Sequence, residues 1–297
     1  MRFIALRNLS VRSQQTYLCW LRQIDRYYPK VPTPGLSPDQ VLDFLHHIQS
    51  VRKLAPSTVN QALCAMRSFF RDHLGHSDAN HEPWDIWRKI KIKRTEPLPH
   101  VLTREEVDLL LGTFRESRFR AFFTVVYQCG LRLSEATHLR PCDIKEQRLT
   151  IRITNAKGGK QREVPISQRL YDRLSRFIKA HGNPDWVFPG LGRGWKSSQM
   201  TKAEAMGAGK KPYSNATVQA ALKVAAAECG LSRKHEKVCT HTLRHSYATH
   251  LLDAGTSVIQ VSAYLGHSSL KQTMVYLHLT QVSEAKARAA LDTLAGH

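Results

Sequence analysis

The residues best suited to chemistry stand in the run His241-Thr242-Leu243-Arg244-His245-Ser246-Tyr247-Ala248-Thr249-His250. On a helix His241 and Arg244 are three apart and share a face, while Leu243, Tyr247, Leu251 and Leu252 turn toward another. An imidazole donor beside a guanidinium at a helix start is well placed to hold phosphate. A metal site is the rival reading, because His241 and His245 have the i, i+4 spacing of zinc-binding helices. The glutamate that would act as base between them is missing and no third ligand is evident, so no metal is expected.

Further candidates flank this run. Cys129-Gly130-Leu131-Arg132-Leu133-Ser134-Glu135-Ala136 puts Arg132 just after a helix-ending glycine, with Glu135 three residues on to orient its fork. An Arg–Glu pair at that spacing also occurs as a plain surface ion pair. Leu265-Gly266-His267 sets His267 after another helix end, and Tyr276 follows in Thr273-Met274-Val275-Tyr276-Leu277-His278. Taken alone, a tyrosine between Val275 and Leu277 reads as packing.

In order, identity and interval, Arg132, His241-x-x-Arg244, Gly266-His267 and Tyr276 resemble the signature of the tyrosine recombinases, the phage integrase family. Ser13-Gln14-Gln15-Thr16-Tyr17 and Pro56-Ser57-Thr58-Val59-Asn60 resemble the family's helical core-binding domain, so the likeness spans nearly the whole chain. The resemblance implies a catalytic lysine in a hairpin turn between the first arginine and the histidine. Asn155-Ala156-Lys157-Gly158-Gly159-Lys160 falls there; the pattern Lys-Gly-x-Lys-x-Arg-x-Val-Pro ending at Pro165 favours Lys157, with Lys160 the rival.

The chemistry explains these residue types. Phosphodiester transfer builds negative charge on the non-bridging oxygens, which the forks of Arg132 and Arg244 would stabilise. The Tyr276 hydroxyl, with an ordinary pKa near ~10, must lose its proton to attack. His241 could accept that proton, and His267 could position the phosphate or share the role. Lys157 could protonate the departing 5′-hydroxyl. The resemblance implies a 3′-phosphotyrosyl intermediate, which conserves the energy of the broken bond, so no cofactor is expected. The sequence has no Gly-x-x-x-x-Gly-Lys-Ser/Thr pattern.

These residues need elements to hold them. Apolar periodicity predicts short helices over the first ninety or so residues. One runs Ser13 to Tyr27, one from the cap Ser37 with Pro38 at its first position, and one follows Pro56-Ser57. On the last, Arg67 and Arg71 are four apart and could grip a duplex or be an ordinary solvated face. The basic run containing Lys91, Lys93 and Arg94 leads into Pro97-Leu98-Pro99 and suits a linker lying along DNA. The expected plan is a helical core-binding (SAM-like) domain over 1–94, a linker over 95–102 and a catalytic domain over 103–297. The fold class is mainly α with a small β-sheet (α+β). In the catalytic part a capping box opens at Thr103, and Phe119 to Cys129 is a helix ended by Gly130. A β-hairpin joins Leu149–Thr154 to Arg162–Ile166, and a helix runs Leu170 to Ala180. Gly190 to Pro212 reads as a mobile loop, and only helices follow Ser214, the last through Ala285 to Leu294.

Charge agrees with a polyanionic partner. Lys and Arg number 44 against 24 Asp and Glu, a formal net charge of +20. About +8 of it lies before Glu96 and about +12 after, so it is no basic tail. The expected partners are double-stranded DNA recombination sites, further copies of the chain in a synaptic tetramer, and accessory DNA-bending or directionality proteins. The six cysteines include no Cys-x-x-Cys pair, which argues against a zinc ribbon or a disulfide framework and for a reducing cytoplasm. No run suits a membrane span, and MRFIALRNLS does not read as an export signal. A metal-dependent nuclease would need clustered carboxylates that no motif supplies. Integration or excision of a mobile element is the preferred role, with dimer resolution or a catalytically inactive DNA-binding relative as alternatives.

Overall fold

In the computed structural model, residues 9–75, 84, 86–90, 92, 99–154, 161–192, 194–235, 238–279 and 291–292 are described. The chain divides into two units, Met1–Pro97 and Leu98–His297.

The first unit is built from three main helices, α1 (Val11–Tyr27), α2 (Pro38–His46) and α3 (Pro56–Phe70). Ser37 closes a capping box with Gln40 and Pro38 fills the first turn of α2, as their order along the chain predicts. Trp20 and Ile24, one turn apart on α1, are buried with Val41, Phe44, Val59, Leu63 and Met66. Beyond α3, Trp84 and Trp87 stack on Phe70 at 5.0 and 6.5 Å, Trp87 from within the short helix α4 (Ile86–Lys89). Arg67 donates to the Trp87 carbonyl at 2.6 Å, and Arg71 pairs with Asp72 at 2.7 Å. These two arginines, candidates for DNA, thus each hold a contact inside the unit. Lys91, Lys93 and Arg94 lie outside the described residues.

The second unit opens with α5 (Arg104–Thr113), α6 (Ser117–Gln128) and the short α7 (Leu133–Thr137). Thr103 and Glu106 form the predicted capping box. The other Glu106 oxygen holds Lys234 and His235, just ahead of the helix that carries the central motif. A three-stranded antiparallel sheet follows, β1 (Ile144–Lys145), β2 (Thr150–Ile153) and β3 (Arg162–Pro165), in the order β1-β2-β3. Ile151 pairs with Val164 and Ile153 with Arg162, so alternation turns Ile151, Ile153 and Val164 into the core. Strands β2 and β3 form the expected hairpin, whereas β1 leaves no trace in the sequence because two residues carry no periodicity.

Helix α8 (Gln168–His181) ends at Gly182 in the left-handed conformation. The segment expected as a mobile loop is instead built into the fold. It carries a 3₁₀ turn (Trp195–Ser197) and α9 (Lys202–Gly207), and Pro189 bridges Pro212. The Asn183 amide donates to the carbonyls of Met206, Gly207 and Gly209 at 2.9 to 3.0 Å, which pins its far end.

The chain closes with α10 (Asn215–Glu228), α11 (Leu231–Lys234), α12 (Thr240–Asp253), α13 (Val258–Leu265) and α14 (Lys271–Leu277). Helix α12 is central. Leu243, Tyr247, Ala248 and Leu252 are buried, and so are the polar Thr240, Thr242, Arg244, Ser246 and Thr249. A helix buried on most of its faces must satisfy its polar groups internally. Ser246 Oγ accepts from Leu102 N at 2.9 Å, and the Tyr127 hydroxyl meets His250 at 2.8 Å. Among the described residues no helix is long and apolar enough to cross a membrane. The helix expected from Ala285 to Leu294 lies outside them, apart from Leu291 and Asp292.

Candidate active site

The site is organised around a buried carboxylate. Glu135 sits on α7 with its side chain fully buried. One oxygen accepts from Arg132 N at 2.9 Å and Arg162 Nη2 at 2.7 Å; the other accepts from Arg132 Nη1 at 2.8 Å and Arg162 Nη1 at 2.9 Å. Arg244 Nη1 stands 3.9 Å away. Burial would raise the carboxyl's pKa, but the hydrogen bonds and charges of Arg162 and Arg132 outweigh it and hold the group down at about 2. Glu135 is therefore an anion that gathers three guanidiniums, leaving a local excess of positive charge.

Each guanidinium is set by its element. Arg132 is the N-cap of α7 and stays a quarter exposed, the one of the three open to a ligand. Arg244 projects from the first half of α12 and is buried, donating to Gly130 O at 2.7 Å and Leu265 O at 2.6 Å. Burial, then repulsion from Arg132, pulls its pKa down to about 10, which leaves it charged at neutral pH. Gly130 follows α6 with φ +58°, and a Cβ there would fall 2.3 Å from the Tyr247 ring, so only glycine fits under this arginine. Arg162 begins β3, donates to the Tyr264 carbonyl at 2.6 Å and packs beneath Gly266, the left-handed cap of α13.

That cap turns the chain so that His267 faces the cluster. Its Nδ1 meets Thr273 Oγ1 at 2.7 Å, and its ring lies 6.3 Å from Tyr276, nearly parallel. Burial, then Arg244, Arg132 and Arg162, push its pKa down to about 4, so it is neutral at physiological pH. Tyr276 on α14 is buried with Tyr247, Leu252 and Leu265. Its hydroxyl hydrogen-bonds His245 Nδ1 at 2.8 Å. Burial raises its pKa, against the lowering influence of Arg244 and Arg132. His241 is exposed at the start of α12, its ring 6.4 Å from that of His245.

The structure thus brings Arg132, Glu135, Arg244, His267 and Tyr276 into one neighbourhood. Lys157 and Lys160 lie outside the described residues. No local signal in the sequence marks the role of Arg162 or the His245–Tyr276 contact. Arg162 stands in the Lys-Gly-x-Lys-x-Arg-x-Val-Pro pattern, and the spacing of His245 from His241 suggests only a metal ligand. Among the described residues no three His, Cys, Asp or Glu side chains gather as a metal site. A cavity of about 1180 Å³, lined by Arg118, Trp195, Lys210, Lys211 and Tyr213, includes none of the clustered groups.

Guanidiniums converging beside a buried phenol, on a helical domain with a small antiparallel sheet, form the layout of tyrosine-type DNA strand transferases. Family comparison agrees: residues 100–282 match the phage integrase family, and residues 1–77 match the phage integrase N-terminal SAM-like domain. The chain belongs to the phage integrase family, the tyrosine recombinases, and is a site-specific DNA recombinase. It is 31% identical to the integrase/recombinase y4qK of Sinorhizobium fredii over 92% of this chain and 81% of that one. It is also 31% identical to an integrase/recombinase of Escherichia coli, over 96% and 89%. The fold is shared with the Tn1549 transposon integrase in complex with transposon right end DNA (TM-score 0.68, 16% identity, 97% of this chain and 95% of that one). It is likewise shared with the XerH recombinase bound to a palindromic difH substrate (TM-score 0.67, 21% identity, 96% and 80%).

Proposed function

We propose that this recombinase cleaves and rejoins double-stranded DNA through a 3′-phosphotyrosyl bond to Tyr276, in the service of a mobile element that integrates or excises. The observation that carries the reading is the Glu135-centred cluster of Arg132, Arg162 and Arg244 beside the buried Tyr276 hydroxyl. Arg132 and Arg244 stabilise the charge that develops on the non-bridging oxygens, while Arg162 and Glu135 fix their forks. His267 positions the phosphate, and His241, which the family resemblance makes a candidate acceptor of the Tyr276 proton, stands exposed at the start of α12. The family resemblance gives the proton for the 5′-oxygen to Lys157, with Lys160 as its rival. The bond energy kept in the phosphotyrosine lets the strand rejoin without a cofactor.

The helical unit 1–94 and the catalytic unit 103–297 grip the duplex from a linker at 95–102, with the net charge of +20 supplying non-specific affinity. Lys91, Lys93 and Arg94 would contribute to it. The active assembly is a synaptic tetramer on DNA in the cytoplasm, assisted by DNA-bending or directionality proteins. Relatives named as integrases at high coverage support the mobile-element role. Others named XerC and XerA favour chromosome- or plasmid-dimer resolution as the second reading.

The test is to incubate the full chain with fragmented, nicked duplex from its own host, denature it and sequence the DNA that stays bound. Wild type is expected to yield adducts at one short sequence, and Tyr276→Phe none while still binding that sequence. Adducts in Tyr276→Phe would refute the reading. The recovered site distinguishes the roles: the ends of an element against a single chromosomal locus.

A further inference from the structure

Among the described residues the Tyr276 hydroxyl has one hydrogen-bond partner, Nδ1 of His245 at 2.8 Å, with the two rings 5.5 Å apart. The other imidazoles of the site are engaged elsewhere. His241 is exposed and hydrogen-bonds the Cys239 thiol, and His267 turns its Nδ1 to Thr273. His245 stands next to Arg244 on α12, so one helix supplies both a guanidinium for the phosphate and a contact to the phenol.

The charge state of His245 suits it to accept. Burial first, then His241 and Arg244 on its own helix and His100 from the start of the unit, hold its pKa down at about 4. At neutral pH the ring is uncharged. With Nε2 carrying the ring proton, the Nδ1 lone pair faces the hydroxyl, which donates to it.

We infer that His245 takes the proton of Tyr276 as the phenolic oxygen attacks phosphorus, a catalytic role that rests on Tyr276 being the nucleophile. The Oη–H bond breaks and its proton passes to Nδ1 while the Oη–P bond forms. The P–O5′ bond breaks, and the 5′-oxygen leaves with its electron pair and takes a proton from the general acid assigned above to Lys157. The phosphorane carries one more negative charge than the ground-state diester, which favours the new imidazolium beside it. Rejoining runs the same path backwards, with His245 returning the proton to the departing tyrosine.

The probe is a duplex of the sequence recovered from wild-type covalent complexes, made with an ordinary scissile phosphate and with a 5′-bridging sulfur. Sulfur leaves without a proton, so that duplex isolates the nucleophile's side of the reaction. His245→Asn keeps an acceptor near Nδ1 and almost the same volume but cannot take a proton; His245→Ala removes both functions. Both variants are expected to cleave both duplexes about 10²–10⁴-fold more slowly than wild type, the range of general-base catalysis, with unchanged affinity for the duplex. Their rates should climb about tenfold per pH unit between about pH 6 and 9, because the phenol must then ionise in advance, whereas the wild-type rate is flat. His241→Ala is expected to slow the reaction with the flat profile kept. Should His245→Ala fold poorly by circular dichroism, His245→Asn carries the test alone. Wild-type rates in His245→Asn would overturn the inference, and so would rescue by the sulfur duplex or a pH slope in His241→Ala alone. Failure of wild type to form adducts would instead refute Tyr276 as nucleophile.

Discussion

Replacing Glu135 with Gln should damage the protein more than any other single change of one charge. The carboxyl is fully buried and is held at about 2 against an ordinary 4.5. A difference of about 2.5 units corresponds to about 3 kcal/mol of stability at neutral pH. The neutral amide would also strand Arg162 and Arg244, whose side chains are only 7% and 4% exposed, and breaking such a buried pair typically costs about 3–5 kcal/mol. Against a stability of about 5–15 kcal/mol for a whole domain, that is a large share. The assay is urea unfolding of the full chain by circular dichroism at several pH values, wild type against Glu135→Gln. The sign follows from a depressed folded-state pKa. The carboxylate's contribution is full above about 4.5 and is lost as pH falls through about 2. The gap between the two proteins should therefore be about 3–5 kcal/mol at pH 7 and shrink by about 2 kcal/mol by about pH 3. A gap under about 1 kcal/mol at pH 7, or one independent of pH, would refute the view that this carboxylate holds the cluster together.

Three further outcomes are expected. Gly130→Ala puts a Cβ 2.3 Å from the Tyr247 ring at a φ of +58° and should destabilise the chain by more than about 1 kcal/mol, read as a lowered Tm. It should also slow cleavage, because Gly130 O is a partner of Arg244. Arg244→Lys keeps the charge but cannot reach Gly130 O and Leu265 O with a fork, and should lose about 10²–10³ in single-turnover cleavage. Because His245 and His267 are both held down at about 4, wild-type cleavage should stay level from about pH 8 to 5 and decline only near pH 4. An inflection near pH 6.5 would show an imidazole of ordinary pKa in control.

Much of this arrangement is legible in the chain because local rules and tertiary structure agree. Ser37 and Thr103 cap where their spacing to Gln40 and Glu106 says they should, and Gly182 and Gly266 end helices in the conformation glycine adopts without strain. The order of Arg132, His241, Arg244, His267 and Tyr276 carries the family. What escapes is whatever depends on distant partners. That Glu135 would hold Arg162 as firmly as Arg132 cannot be read from the sequence, because Arg162 arrives from a strand 27 residues away. His245 is read as a possible metal ligand because its real partner, Tyr276, is 31 residues further on. Elements as brief as β1, α9 and α11 are too short for any period to show, and the glycines and lysines around α9 read as a loop.

The amide of Asn183 has a consequence beyond the site. One side chain, buried just beyond α8, clasps three main-chain carbonyls within four residues at the far end of the insertion, while the contact of Pro189 with Pro212 stitches its two ends together. Both fastenings use backbone atoms of the insertion, so they make little demand on its side chains. Side chains between Leu191 and Met200 take part in neither fastening, so changing them should leave the anchoring of the segment intact.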